Sequence, residues 1–225
     1  PSLPILYFGN IELYLKSKFK VVTAALNPSD IEFKKSKDDR PSFFRFPEYK
    51  GDLITLEKSL NNYFENKPYT NWFGISGKSK KGFIPILNGM ECCYYNSYKF
   101  KDTSLHTDIC SPLATNPTWS KLNDIQKKSI FEEGFNLWKS LIYYLKPDLI
   151  LVSLSKEYLK LFDLNFINHI ENKVGKKSNY YIDHYEIKIF DYKTNLVWGS
   201  AQNNPFQPFK NTRELGQEIK SSIGS

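Results

Sequence analysis

Three side chains able to carry out chemistry stand at alternate positions of one stretch of the chain: His106, Asp108 and Cys110. An imidazole, a carboxyl group and a thiol are the parts of a nucleophile with its base and orienting group. In a strand, however, a rise of ~3.3 Å per residue separates the first from the third by ~13 Å. That distance excludes direct proton transfer, so the spacing argues against a triad. A His106–Asp108 pair at the top of a sheet remains open, as does a purely structural role.

The sequence contains no complete phosphate-binding or metal-binding motif. In 74–79 the spacer between the first glycine and Gly-Lys-Ser is shorter than a phosphate-binding loop requires, and no apolar strand precedes it. The histidines at 106, 169 and 184 do not form a spaced cluster, and the cysteines lack the spacing of a zinc site. We therefore predict neither a metal ion nor a cofactor.

Two Asn-Pro dipeptides are candidates for ligand-binding turns: Asn27-Pro28 and Asn204-Pro205. The amide of asparagine both donates and accepts hydrogen bonds, so it can orient a water molecule or a polar ligand. For Asn27 the alternative is a structural turn residue that tolerates unusual backbone angles before a proline. The two turns can form one site only if the elements before them end at the same edge of one sheet.

Strand-like and helix-like segments alternate along the chain. Apolar segments at 19–26, 103–109, 148–154 and 195–199 have the composition of strands, and an apolar stripe over 124–145 predicts a long helix. The uninterrupted apolar run in the third strand is typical of a strand covered on both faces. This alternation predicts an α/β fold with three α/β/α layers around a central parallel sheet of about four strands.

Local signals mark further boundaries. Asn123 and Gln126 have the capping-box spacing at the start of the long helix, and Lys146-Pro147 is expected to end it. Residues 53–64 have a helical period of apolar positions, whereas 181–190 alternate as an edge strand or hairpin arm would.

We expect a single domain over residues 1–225, with a loop-rich insertion at 34–100 that lies over the carboxyl edge of the strands. Ligands bind beyond that edge in open parallel sheets. The segments expected to line such a site are 27–33, 108–119, 153–156 and 200–209.

The chain is basic and rich in aromatic residues, with a formal net charge of +7 and 16% Phe, Trp and Tyr. Cationic side chains displace condensed counterions and flat rings stack on bases, so this composition favours a nucleic acid as partner. Genome base bias alone can also produce a chain rich in Lys, Asn and Ile.

The absence of three kinds of sequence feature indicates the cellular compartment. Three cysteines in 225 residues exclude a disulfide scaffold. No apolar run approaches the ~20 residues that cross a bilayer, and the N-terminal residues do not have the pattern of a secretory signal. We expect a reduced, cytoplasmic protein that is monomeric and does not insert into a membrane.

Taken in order, these segments resemble the uracil-DNA glycosylase superfamily, and in pattern its mismatch-specific branch most closely. The shared segments are the first strand with Leu26-Asn27-Pro28-Ser29, the strand Leu105–Ile109, the helix 124–145 followed by Lys146-Pro147 and an apolar strand, and Trp198-Gly199 before an Asn-Pro loop. The resemblance covers roughly residues 19–33 and 103–220 and leaves the insertion at 34–100 unmatched.

The resemblance implies DNA as a partner and an enzyme of base-excision repair that hydrolyses the N-glycosidic bond of a damaged or modified base. Such enzymes flip the nucleotide out of the duplex and hold the base between apolar or aromatic walls. In this family pattern the catalytic residues are Asn27, which holds the attacking water, and Asn204, which donates to the departing base. Pro28 and Ser153 lie in the loops expected to bind the substrate.

The resemblance also assigns the residues that recognise the base. Phe33, or one of Phe43 and Phe44, is the ring expected to stack on the base, unless these rings belong to the core. Asp108 stands where the superfamily usually has an asparagine that reads the pyrimidine edge. A carboxylate accepts hydrogen bonds and donates none unless it is protonated. Asp108 therefore favours a base with amino donors, or a protonated base, over uracil.

The segment Asn204-Pro205-Phe206 departs from the superfamily's second motif, which has His-Pro-Ser or Asn-Pro-Ser. Asn204 keeps an amide donor, and Phe206 is the candidate wedge that enters the duplex. Ala24 and Ala25 stand where a glycine usually precedes the first motif. These departures imply a divergent member with a changed substrate or lost activity.

Two other functions fit the same sequence. One is a non-catalytic module that binds a nucleic acid or nucleotide on the same fold. The other is an α/β protein that binds a small molecule unrelated to DNA, which the modest charge excess and the acidic Asp108 allow.

Overall fold

In a computed structural model, the protein is built around a six-stranded sheet with helices on both faces. The residues that the structure describes are 3–33, 43–66, 70–74, 82–95, 99–175, 179–200, 205–206, 208–209 and 213–224.

The strands are β1 Val21–Ala25, β2 Cys92–Cys93, β3 Asp102–Thr103, β4 Leu105–Asp108, β5 Leu149–Val152, β6 Leu164–Val174, β7 Asn179–Ile189 and β8 Tyr192–Gly199. The helices are α1 Ile11–Lys16, α2 Leu53–Asn61, α3 Thr70–Phe73, α4 Ile84–Gly89, α5 Asp124–Leu145 and α6 Arg213–Ile223. Short 3-10 turns lie at Asp30–Glu32, Trp119–Lys121 and Lys156–Leu161.

The large sheet has the strand order β4-β1-β5-β8-β7-β6, and β2 pairs separately with β3. The first four strands of the large sheet are parallel, which confirms the predicted α/β class and parallel centre. The expected count of about four strands is wrong for the whole sheet, because β7 and β6 extend it by antiparallel pairing.

The sixth strand, β6, was missed for a physical reason. It is an edge strand whose residues are mostly exposed, so no alternation of buried and polar positions marks it in the sequence. Irregularities in its pairing with β7, between Phe166 and Asn168 and between His169 and Glu171, break the period further. The alternating segment 181–190 falls within β7 and its end, and is a hairpin arm between two partners.

The register of the parallel strands brings distant chain segments to one edge. Ala25 at the end of β1 pairs with Asp108 at the end of β4. Ala24 pairs with Val152, the last residue of β5. The turns that leave β1, β4 and β5 therefore start side by side, where a parallel sheet is expected to bind its ligand.

Helix α5 covers one face of the sheet. The predicted capping box is present, with the Asn123 and Gln126 side chains each bonded to the other's backbone N–H. The helix ends at Lys146, which adopts a left-handed conformation with φ of 45° before Pro147. On its buried side Trp138 Nε1 donates to Thr107 Oγ1 of β4 at 3.1 Å.

The insertion and the C-terminal helix supply the opposite layer, which confirms the three-layer architecture. Helix α4 crosses α6 so closely that a Cβ at Gly216 would lie 2.0 Å from the Ile86 carbonyl oxygen. The helix predicted at 53–64 is α2, Leu53–Asn61. Residues Trp72 and Phe73 of α3 line a cavity together with residues from the ends of β1 and β4.

Two further properties follow from the same core. Within the described ranges, no helix has both the length and the apolar character needed to span a membrane. All three cysteines are buried free thiols.

Gly134 of α5 allows the helix to pack against the chain that leaves β4. A Cβ at this position would lie 2.3 Å from the Cys110 carbonyl oxygen and 2.8 Å from the Ser111 Cα. We expect Gly134→Ala to lower the free energy of unfolding by about 1–3 kcal/mol through overpacking, although alanine is the better helix former by ~1 kcal/mol. Denaturant unfolding followed by circular dichroism measures this.

The control is Glu133→Ala, which changes the exposed neighbour on the same helix. It should alter the free energy of unfolding by no more than about 0.5 kcal/mol. Equal stability of Gly134→Ala and Glu133→Ala would contradict the close packing of α5 on the end of β4.

Candidate functional site

A cavity of about 360 Å³ lies at the carboxyl ends of β1, β4 and β5. This volume is within the range of small-ligand sites, which combine apolar walls with a few converging polar groups. Its lining residues are Phe8, Ala25, Leu26, Asn27, Pro28, Ser29, Glu32, Trp72, Phe73, His106, Asp108, Ser153, Leu154 and Ser155.

Four of the predicted site residues line this one cavity: Asn27, Pro28, Asp108 and Ser153. They come from the ends of three different strands, and the parallel register described above places those ends together. His106 also lines the cavity, so the His106–Asp108 pair does lie at the top of the sheet. Within the described chain, no hydrogen bond joins the two side chains.

Asn27 is fixed in place by its amide nitrogen. Nδ2 donates to Thr115 Oγ1 at 3.0 Å, to the Leu113 carbonyl at 3.3 Å and to the Pro28 carbonyl at 3.1 Å. The turn after β1 is thereby tied to the loop after β4, and a bridge between Ser29 and Thr115 adds to this. Oδ1 accepts no hydrogen bond from the described residues, so it is available to a water molecule or a ligand.

Asp108 is buried without compensation, with 6% of its surface exposed. Its Oδ2 is fully enclosed, and none of the described residues donates a hydrogen bond to Oδ2 or to Oδ1. Burial raises the pKa of this carboxyl group well above its ordinary value, and the nearby Glu32 raises it further. Both effects act against the charged form of this carboxyl group.

Glu32, the second acid of the cavity, has partners. Its Oε2 accepts hydrogen bonds from Arg45 Nη1 at 3.1 Å and from the Tyr63 hydroxyl at 2.8 Å. Burial raises the pKa of Glu32, while Arg45 and Tyr63 oppose that rise. The two acids differ in environment, because a negative charge on Glu32 is compensated and one on Asp108 is not. Sequence reasoning did not single out Glu32, although it lies in the expected segment 27–33.

His106 is neutral, and aromatic rings surround its imidazole. Its Nδ1 lies 2.8 Å from Thr23 Oγ1, which in turn is bonded to the Tyr94 hydroxyl. Burial lowers the pKa of His106 to about 3. The imidazole thus carries no charge near neutral pH. Its Nε2 has no hydrogen-bond partner in the part of the chain that is described.

The rings that line the cavity are not those expected from the sequence. Phe8, Trp72 and Phe73 line it, and the last two meet the His106 ring edge-on at centroid distances of 5.1 and 5.0 Å. No spacing signal in the sequence marks them, because Phe8 precedes the first strand and the other two lie in a glycine-rich stretch.

The predicted stacking ring, Phe33, is a core residue and the prediction is corrected. It is 8% exposed, lies outside the cavity lining and stacks on Phe46 at 5.7 Å. Its alternatives lie elsewhere: Phe43 packs edge-on against Phe33 at 5.9 Å, and the exposed Phe44 lies under the Arg45 guanidinium. Neither lines the cavity.

Phe206 is also a core residue, so the wedge prediction is wrong. Its ring is fully buried, and a Cβ at Gly199 would lie 2.1 Å from one of its carbons. A wedge has to be exposed to enter a duplex. The backbone N–H of Phe206 donates to Ser153 Oγ at 2.8 Å, which places Pro205-Phe206 beside the end of β5. Asn204 itself lies outside the described residues.

The remaining candidates for chemistry lie apart. Cys110 is outside the cavity lining, and burial raises the pKa of its thiol to about 12, which leaves it unreactive near neutral pH. His169 pairs with Asp183, and His184 contacts Asn195, on the antiparallel strands. Among the described residues, no group of three or more His, Cys, Asp and Glu side chains could hold a metal ion.

Comparisons of the chain with protein-family models, with curated proteins and with solved structures give no match. The function must therefore be inferred from the residues of this cavity.

The raised pKa of Asp108 predicts a pH dependence of stability. Because the folded protein holds this proton more tightly than the unfolded chain, the contribution is fully present below the unfolded pKa of about 4 and is lost as the pH rises toward the folded pKa. Asp108→Asn removes this term. We expect the variant to gain stability relative to the wild type as the pH rises from about 5 to about 8, by about 1.4 kcal/mol for each pH unit that lies below the folded pKa.

Denaturant unfolding at a series of pH values measures the gain. Asp30→Asn is the control, because Asp30 lies in the turn after β1 and is exposed. A constant difference between Asp108→Asn and the wild type over this pH range would show that Asp108 is not buried as a neutral acid.

Proposed function

We propose that this protein is a base-excision glycosylase-like enzyme that hydrolyses the N-glycosidic bond of a damaged or modified base in DNA. The observation that carries the proposal is the meeting of Asn27 and Asp108 in one cavity with aromatic walls. Such a reaction requires that an amide that orients water and a group that recognises the base lie in the same cavity. The resemblance of the sequence segments to the uracil-DNA glycosylase superfamily supports the same function.

The walls of the cavity suit a flat heterocycle. Enzymes that act on a base extrude it from the stack, hold it between aromatic or apolar side chains and read its polar edge. The rings of Phe8, Trp72 and Phe73 offer such walls, while His106 and Asp108 offer polar groups from one strand. A volume of about 360 Å³ accommodates a single base.

Asn27 supplies the group for the attacking water. With Nδ2 held by Thr115 and Leu113, its Oδ1 is fixed in direction and can accept a hydrogen bond from water. An amide is a weak base, so its contribution is to orient the water toward a sugar carbon that already carries positive character. Proton removal can follow bond breaking, and a strong base is not needed.

Basic sequence segments flank two parts of the cavity lining and support DNA as the partner. Lys34, Lys35 and Lys37 follow Glu32, and Lys78, Lys80 and Lys81 follow Phe73. Cations in segments that adjoin lining residues in the sequence would suit the phosphates that flank an extruded nucleotide.

A second candidate is a binding module on the same fold, without catalysis. The hydrogen bonds of Asn27 favour it, because they give this residue a structural role that needs no reaction. The burial of Phe206 favours it as well, since this ring cannot enter a duplex.

Excision assays separate the two functions. The protein is incubated with duplex and single-stranded DNA carrying uracil, hypoxanthine, xanthine or an alkylated base, and abasic sites are then cleaved with alkali. We expect product from at least one of these, with a rate at least about 100-fold lower for Asn27→Ala. Asn165→Ala, an exposed position on edge strand β6, should match the wild type. Wild type that yields no abasic product from any substrate would leave only the binding module.

The salt dependence of DNA binding tests the basic segments. For duplex DNA, each phosphate that the protein no longer neutralises reduces the slope of log K against log salt by about 0.9. The triple variant Lys78→Ala/Lys80→Ala/Lys81→Ala should therefore have a slope shallower by about 2–3 in fluorescence anisotropy titrations. A control triple at Lys16, Lys18 and Lys20, before the opposite end of β1, should keep the slope. Identical slopes for all three proteins would place the DNA elsewhere.

A further inference from the structure

Asp108 is the one cavity acid whose charge would have nothing to balance it within the described chain. Its neighbour on the same strand, His106, is neutral, and Cys110 beyond it is a protonated thiol. From the turn after β1 it faces Glu32, a second acid. The Arg45 guanidinium pairs with Glu32. Enclosure of this kind disfavours an ionised carboxylate and favours the protonated group.

We infer that Asp108 works in this cavity as a neutral carboxylic acid and that the site selects a heterocycle whose edge carries a hydrogen-bond acceptor beside a donor. This inference rests on the proposed function, because it names the kind of base that the same cavity would take. The ligand class includes the lactam edge of uracil and hypoxanthine and the amidine edge of cytosine and adenine.

The chemistry follows from the donors and acceptors of the two forms. A neutral carboxyl group presents one O–H donor and one carbonyl acceptor, the same pair that an asparagine amide presents. A carboxylate presents acceptors alone and needs two donors on its ligand, as on the edge of guanine. The preference for amino donors expected from the sequence is thus replaced by a preference for a mixed edge. Rotation about the soft terminal torsion of Asp108 can bring either oxygen to the ligand.

In the ligand-free protein, the enclosed Oδ2 has no hydrogen-bond partner among the described residues. With no protein donor to either oxygen, the carboxyl group is not held in one orientation by hydrogen bonds of the described residues. A ligand with a mixed edge offers this group both a donor and an acceptor once rotation has turned the carboxyl group toward the cavity. Two hydrogen bonds to otherwise unsatisfied polar groups should strengthen binding by roughly tenfold or more.

Binding of free uracil and free hypoxanthine by isothermal titration calorimetry tests the inference independently of excision. Asp108→Asn keeps a donor and an acceptor, so we expect it to bind uracil within about threefold of the wild type. Asp108→Ala removes both and should bind at least about tenfold more weakly. Asp30→Asn, exposed in the turn after β1, should match the wild type.

The protonation state has its own measurement. The infrared difference spectrum between the wild type and Asp108→Asn at neutral pH should contain the C=O stretch of a protonated carboxylic acid. As the pH rises, that band and the affinity of the wild type for uracil should decline together, while the affinity of Asp108→Asn stays constant.

Three outcomes would overturn the inference: no binding of either base to the wild type, loss of binding in Asp108→Asn as severe as in Asp108→Ala, or a carboxylate band at neutral pH. Failure of the proposed function looks different. Uracil binding with the expected pattern but no abasic product from any DNA would uphold the neutral acid and reject the glycosylase.

Discussion

The parallel pairing of β1 with its two neighbours is the constraint on which the site depends. Residues 27, 108 and 153 are far apart in sequence, and none of them contacts the others through a local motif. They share one cavity because Ala25 is in register with Asp108 and Ala24 with Val152. Burial of these strands on both faces fixes that register, since a shift by one residue would turn polar ends into the core.

The two acids of the cavity lie in different electrostatic environments. Glu32 has Arg45 and Tyr63 as partners, whereas Asp108 lies among neutral groups and a second acid. His106 cannot balance it, because burial holds its pKa at about 3. Burial raises the pKa of both acids, but only for Glu32 do partners oppose the rise.

The sequence predicted the elements that local periodicity encodes. It did not predict the features that depend on tertiary packing. The capping box of α5 and the apolar runs of β1 and β5 gave the layers, and the carboxyl-edge rule gave Asn27, Asp108 and Ser153. Edge strand β6 lacks a buried face and therefore has no period to detect. Phe33 and Phe206 were misassigned because an aromatic residue beside a site loop has the same sequence signature whether it points into the site or into the core.

The tether of Asn27 to Thr115 and Leu113 has a mechanical consequence. It joins the turn after β1 and the loop after β4 into one hydrogen-bonded unit beside the cavity. Trp72 and Phe73 of α3 also line the cavity, and they contact their neighbours through ring packing. Because ring contacts shift laterally at smaller cost than hydrogen bonds break, we expect this part of the cavity wall to adjust to a bound ligand more than the tethered turn does.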